Sequence, residues 1–165
     1  LMVGAFILYQ NVQERARAKQ DISTIRSVIA QIRSLTPPGG AARWAQGPNS
    51  VYAPATAVPY SLQRFADGTP MSLAIGSPTT SSYCVTCRHL RLAPSSAYTY
   101  PFPKQACVEM ASQLWDEADS IFIRTTSNIS LSALKTVSGP NSIKDIPRII
   151  SRCNNDAHLV FLLPI

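Results

Sequence analysis

The chain is short of charge. Only 15% of its 165 residues are Asp, Glu, Lys or Arg, against roughly a quarter in ordinary soluble domains, and just 9 are acidic. It has no long apolar run: the stretch Leu1-Met2-Val3-Gly4-Ala5-Phe6-Ile7-Leu8-Tyr9 falls well below the roughly 20 residues a helix needs to cross a bilayer. G-x-S-x-G, H-E-x-x-H, P-loop and G-x-G-x-x-G patterns are absent, which removes the sequence grounds for the common hydrolases, zinc proteases and nucleotide-binding enzymes. No repeat of solenoid length is present. With one C-x-x-C and two isolated histidines, His89 and His158, the second ligand pair of a zinc site is missing. That C-x-x-C, Cys84-Val85-Thr86-Cys87, runs into the strand-like Arg88-His89-Leu90-Arg91-Leu92 rather than opening a helix, so the setting of a thioredoxin-like redox pair is missing too. There is thus no catalytic, metal-ligating or cofactor-binding residue to assign, and the chain is expected not to be an enzyme.

What is present describes a folded domain. The hydrophobic fraction is 45%, enough for a real core, and 13 prolines with many Ser and Thr indicate a loop-rich surface. The net charge of +6 is uneven: through Arg91 there are nine basic and three acidic residues, and beyond it six of each cancel. The basic residues are single and spaced rather than blocked, which weakens a nucleic-acid reading. Five of the nine, Arg15, Arg17, Lys19, Arg26 and Arg33, fall on the first predicted helix, where packing against neighbouring copies is expected, with Glu14, Asp21 or a neighbour's acidic loop as partners.

Between Gln10 and Leu35 there is neither Pro nor Gly, and Ala, Gln, Arg, Glu and Ile dominate, which predicts a helix. Ile22, Ile25, Val28, Ile29, Ile32 and Leu35 form one stripe along it, and Thr36-Pro37-Pro38-Gly39-Gly40 ends it. With the apolar start included, about 35 residues at 1.5 Å each make a rod on the order of 50 Å, longer than a domain of this size needs. The first third is expected to project, with Phe6-Ile7-Leu8-Tyr9 placed in lipid or against copies of the same helix, since it would otherwise invite aggregation. The start has no basic region before it and no cleavage site after it, so the chain reads as beginning partway along a longer apolar helix; a single-pass anchor is the plainer alternative.

Residues 36–82 read as a long ordered connecting loop, with Trp44, Tyr52, Tyr60 and Phe65 pinning it to the domain. Short strands are expected at 72–75, 88–92 and 97–102, the last two as a hairpin over Pro94-Ser95-Ser96. A helix is expected over 104–117, with Cys107, Met110, Ala111, Leu114 and Trp115 on one face, and a strand over 120–126. Pro147 places a short helix starting near Asp145, and the apolar run 158–163 suits the middle of a sheet. The carboxylates Asp116, Glu117 and Asp119 read as a solvated helix end, and Asn128-Ile129-Ser130 matches a glycosylation sequon. The expected class is α+β: a long helix on a mainly antiparallel sheet, with small C-terminal helices. The domain division is a projecting helix at 1–35 (apolar tip 1–9, amphipathic 10–35) and a globular head at 36–165.

Four cysteines allow three pairings. With zinc and redox chemistry set aside, two structural disulfides in an oxidising compartment remain, Cys107 with Cys153 and Cys84 with Cys87. Closing the larger loop would contribute about 4 kcal/mol in the chain-entropy model.

Taken in order, these features resemble the type IVb pilins, the major pilins of conjugative-plasmid thin pili first and the toxin-coregulated pilus pilin more distantly. Residues 1–9 look like the second half of the pilin's apolar N-terminal segment, and Ala57-Val58-Pro59 like a segment of its loop. Tyr98-Thr99-Tyr100-Pro101-Phe102-Pro103-Lys104-Gln105-Ala106-Cys107 looks like the strand leading to its first cysteine, and Cys153 with the strand after it completes the pattern. The family's methylated N-terminal residue and the acidic residue near it are not in this sequence, and Cys84-Val85-Thr86-Cys87 has no counterpart.

The resemblance implies a precursor cut by prepilin peptidase, held in the bacterial inner membrane and assembled by the pilus machinery into an extracellular filament of identical subunits. Leu1, Met2, Val3, Phe6, Ile7, Leu8, Tyr9 and Val12 would form the filament-core helix, Ile22, Ile25, Val28, Ile29, Ile32 and Leu35 would join helix to head, and Cys107 and Cys153 would staple the exposed region 107–153. The implied roles are adhesion, aggregation or conjugative contact with a host or recipient cell, without a specific nucleic-acid partner. A minor pilin, or a membrane-anchored periplasmic protein binding DNA or another ligand, is the alternative.

Overall fold

Uninterrupted helix formers carry a single helix, α1 (Met2–Leu35), through 34 residues, about 50 Å of rod. The computed structural model describes residues 2–36, 50–77, 79–84, 89–94, 102–124, 131–153 and 157–165. Trp44, the sequon at 128–130, Cys87 and most of 97–102 lie outside them.

Residues 50–77 hold more regular structure than a connecting loop. A 3-10 turn at Ser50–Tyr52 leads into α2 (Ala53–Ala57), whose Pro54 sits in the first turn, where a missing N–H costs nothing. A second 3-10 turn (Tyr60–Leu62) precedes β1 (Met71–Gly76). Then come β2 (His89–Pro94), α3 (Lys104–Gln113), β3 (Ser120–Arg124), β4 (Ser132–Lys135), α4 (Ile146–Arg152) and β5 (His158–Pro164). Of the loop aromatics, Phe65 is buried edge-on against Phe102 at 5.6 Å, whereas Tyr52 and Tyr60 are exposed and pin little.

The five strands form one antiparallel sheet in the order β1-β2-β5-β3-β4, with the C-terminal strand at its centre. This corrects the hairpin expected between 88–92 and 97–102: both edges of β2 are taken, by β1 and by β5. Alternation sends Met71, Leu73, Leu90, Leu92, Leu159, Phe161, Leu163, Ile121 and Ile123 to the face that shares a core with α1 and α3. A smaller apolar set, Ala93, Phe122, Val160 and Leu162, lies on the opposite face.

Backbone ties position the small elements. α3 ends at Gln113, short of the expected 117, yet Leu114 and Trp115 remain buried. At the start of α4 the Asp145 carboxylate accepts from the Arg148 N–H at 3.2 Å. The Arg148 guanidinium donates to the Ala133 and Leu134 carbonyls, and Lys135 Nζ donates to the Trp115 and Ala118 carbonyls. β4 was not expected from sequence; its Ser132-Ala133-Leu134-Lys135 is short and only weakly apolar, and these ties hold it at the sheet edge.

Phe161 on the central strand is 1% exposed and touches the core from both helices. Phe161→Ala is expected to cost about 3–5 kcal/mol in urea unfolding, whereas Ile143→Ser, on the exposed surface, should stay within about 0.5 kcal/mol.

Candidate functional site

α1 carries two apolar sets with opposite fates. In the C-terminal half, Ile22, Ile25, Val28, Ile29 and Ile32 are buried against the head, together with Ala18. Leu35 is not: at the last turn it is 47% exposed, so its expected place in the helix-to-head seam is corrected. In the N-terminal half, Val3, Phe6, Ile7, Leu8, Tyr9 and Val12 are between 51% and 73% exposed. Leu1 lies outside the described residues, and for Met2 only the backbone is described. Residues 3–10 are exposed throughout, and Ala18 is the first fully buried position, so the tip stands clear of the head. No described helix is long and apolar enough to cross a membrane.

Three of the basic residues on α1 are engaged with the head of the same chain. Arg26 Nε pairs with Glu117 Oε1 at 2.7 Å, and Arg17 Nη2 lies 3.6 Å from Asp67 Oδ2. Arg33 donates Nε and Nη2 to the Pro164 carbonyl at 3.1 and 2.9 Å, clamping the end of the central strand to the last turn of the helix. Asp21 is turned fully inward, 1% exposed, and accepts the Ala66 N–H at 2.7 Å. A helix face was legible in the sequence; that its polar rows would find acceptors 40 to 130 residues away was not.

The acidic group expected as a solvated helix end is engaged as well. Besides the Glu117 pair, Asp119 Oδ2 lies 2.7 Å from His89 Nε2, joining the turn before β3 to the start of β2. Nearby, burial pushes the Lys135 ammonium below its ordinary pKa, against the opposing pull of Asp116 and Asp119.

Cys107 and Cys153 form a disulfide with Cα atoms 5.6 Å apart, joining α3 to the residue that caps α4. Both are buried, so the bridge belongs to the core and stakes the 46-residue excursion through β3, β4 and α4 at its two ends. Cys84 is also disulfide-bonded, and Cys87 lies outside the described residues.

No family model matches the chain, and no characterised protein is similar to it in sequence. Among solved structures it is similar to the crystal structure of TcpA, a type IV pilin from Vibrio cholerae El Tor biotype, with a TM-score of 0.51 and 13% identity over 92% of this chain and 98% of that one. The fold is therefore that of a type IV pilin: a long N-terminal helix on an antiparallel five-stranded sheet with small helices around it.

The bridge and the buried carboxylate can be weighed separately. Cys107→Ser with Cys153→Ser is expected to lose about 4 kcal/mol and to lower Tm by about 8–16 °C, read by calorimetry, with the far-UV helical signal of the native state retained. Asp21→Ala, which strips an acceptor from the helix-to-head seam, should cost about 1–3 kcal/mol by denaturant titration.

Proposed function

We propose that the chain is a structural subunit of a type IV pilus, a major pilin of type IVb kind and not an enzyme. The observation that carries this reading is the unsatisfied tip of α1. An otherwise well-packed α+β head holds out Val3, Phe6, Ile7, Leu8, Tyr9 and Val12, in a fold shared with a type IV pilin. Water is a poor environment for that surface; a bundle of identical helices is a good one. Burying these six side chains between copies supplies on the order of 10 kcal/mol per subunit before the entropy of association is subtracted.

In this reading the subunit waits in the bacterial inner membrane, after its peptidase has acted, with the tip in lipid. The assembly machinery then moves it into an extracellular filament of identical subunits. The exchange of lipid for neighbouring helices leaves the apolar surface covered at every stage. The head, held on α1 by its own core and by the Arg17, Arg26 and Arg33 contacts, is carried on the outside, where adhesion, aggregation or conjugative cell contact takes place. A minor pilin of the same machinery is the neighbouring alternative and differs in abundance, which counting the protein in sheared surface filaments decides.

Electron microscopy of sheared surface material, with antibody against the head, should label filaments along their length. Leu8→Asp should abolish filament recovery while leaving the thermal unfolding of the head within about 2 °C, since the tip lies outside the core. Filaments that persist undiminished in Leu8→Asp, or a wild-type protein found only as dispersed monomer, would overturn the proposal.

A further inference from the structure

The face of the sheet turned away from α1 holds a charge, Arg91, with no carboxylate partner among the described residues. Strand alternation puts Ser72, Ala74 and Gly76 of β1 on that face beside Arg91 of β2, in the register Ser72 to Ala93, Ala74 to Arg91 and Gly76 to His89. These are small side chains, and the absence of one at Gly76 is required. A Cβ there would fall 2.9 Å from Arg91 Cβ and 2.8 Å from Leu162 Cδ2. The backbone of β1 thus runs close beside Arg91, whose side chain is half-buried.

One side of that guanidinium is spoken for. Its Nε donates to the Ser81 carbonyl, and its Cζ lies over the Tyr83 ring at 4.9 Å from the centroid. The terminal Nη atoms are left, and the described ion pairs of the chain involve other residues. Burial pushes the Arg91 pKa down, against the opposing pull of Tyr83 and Tyr52. Beside it opens a cavity of about 180 Å³, lined by Ser72, Tyr83, Arg91, Ala93, His158 and Val160 among others. Tyr52 stands at 5.3 Å from Tyr83, ring edge to ring face, and both rings are partly exposed.

A cation in a partly enclosed, low-dielectric hollow favours an anion, and a guanidinium favours one with two oxygens in a plane, held end-on by its Nη pair. The volume narrows the choice further. It lies below the roughly 300 Å³ at which drug-sized sites begin, so one small moiety fills it. A lone Asp or Glu side chain would leave most of it void, whereas a six-membered ring bearing a carboxylate would meet the apolar floor of Ala93 and Val160 and the hydroxyls of Ser72 and Tyr83, which hydrogen-bond each other and keep capacity for a ring hydroxyl. We propose that this cavity binds a carboxylate-bearing sugar ring, of the uronic-acid or sialic-acid type, with Arg91 holding the carboxylate and Ser72 and Tyr83 the ring hydroxyls. The site is built by the head alone and stands whether or not the chain forms filaments. Within a filament bundled through α1, it would lie on the side of the sheet away from the helix core.

The test is a titration of the full chain in mild detergent, followed by NMR or calorimetry, with glucuronic acid and N-acetylneuraminic acid as ligands. Glucose, acetate and a Glu-rich peptide serve as controls. At least one acidic sugar should bind saturably, at least tenfold more tightly than glucose and acetate. Arg91→Gln should abolish that binding. Arg91→Lys, which keeps the charge and a similar length but loses the planar fork, should weaken it about tenfold with the melting temperature held. Acetate binding as tightly as the sugars would reduce the site to an anion hole and overturn the proposal. A Glu-rich peptide that outcompetes both sugars would assign the cavity to a protein partner instead and equally overturn it. So would undiminished sugar binding by a folded Arg91→Lys or Arg91→Gln protein.

Discussion

Everything in this structure depends on how one helix divides its apolar surface. Ile22, Ile25, Val28, Ile29 and Ile32 form a stripe that the sheet and α3 cover, while Phe6, Ile7, Leu8 and Tyr9 stand more than half exposed. The covered stripe fixes the head on the rod; the uncovered tip is the surface that the proposed reading gives to neighbouring copies. A helix as long as its head needs would give only the first, and a uniformly polar extension would give only a spacer.

The seam is reinforced by contacts that are specific in direction. Arg33 reaches the end of β5, Arg26 reaches the turn after α3, and Asp21 holds the backbone at Ala66, so that three separate parts of the head are indexed against one helix face. Exposed ion pairs add little stability, typically under about 1 kcal/mol each. Their use here is registration: the five-isoleucine-and-valine stripe would tolerate a slip along the helix axis, and the polar contacts at its edges would not. The same economy appears at the β4 edge, where Lys135 and Arg148 bind backbone carbonyls, whereas Arg91, on the sheet face away from α1, has no carboxylate partner among the described residues.

β5 and the Cys107–Cys153 bridge solve a problem of chain order. The central strand is the last to be made, so β2 and β3 lack their common neighbour until the C-terminus inserts. The bridge ties α3 to the residue after α4, and with it fixes both ends of the excursion that delivers the chain to that central slot. Leu159, Phe161 and Leu163 then close the core against α1, while Val160 and Leu162 close the smaller cluster on the other face.

The local features were legible in the amino-acid order. The uninterrupted run to Leu35, the isoleucine stripe, the Asp145-Ile146-Pro147 helix start and the apolar run from His158 each depend on neighbours within a few residues, and each formed where its pattern placed it. What pairs with what was not legible. β2 takes β1 and β5 as partners rather than the segment that follows it, and β4 exists by virtue of remote carbonyls and cations. Leu35 continues the stripe in sequence but stands half exposed in space. By itself the sequence determined a long half-apolar rod with an α+β head, since periodicity and turn residues act at short range. Only the tertiary structure decided which charges find partners within the chain and that Arg91 borders a cavity, since electrostatic pairing is settled by distances in space that sequence separation does not encode.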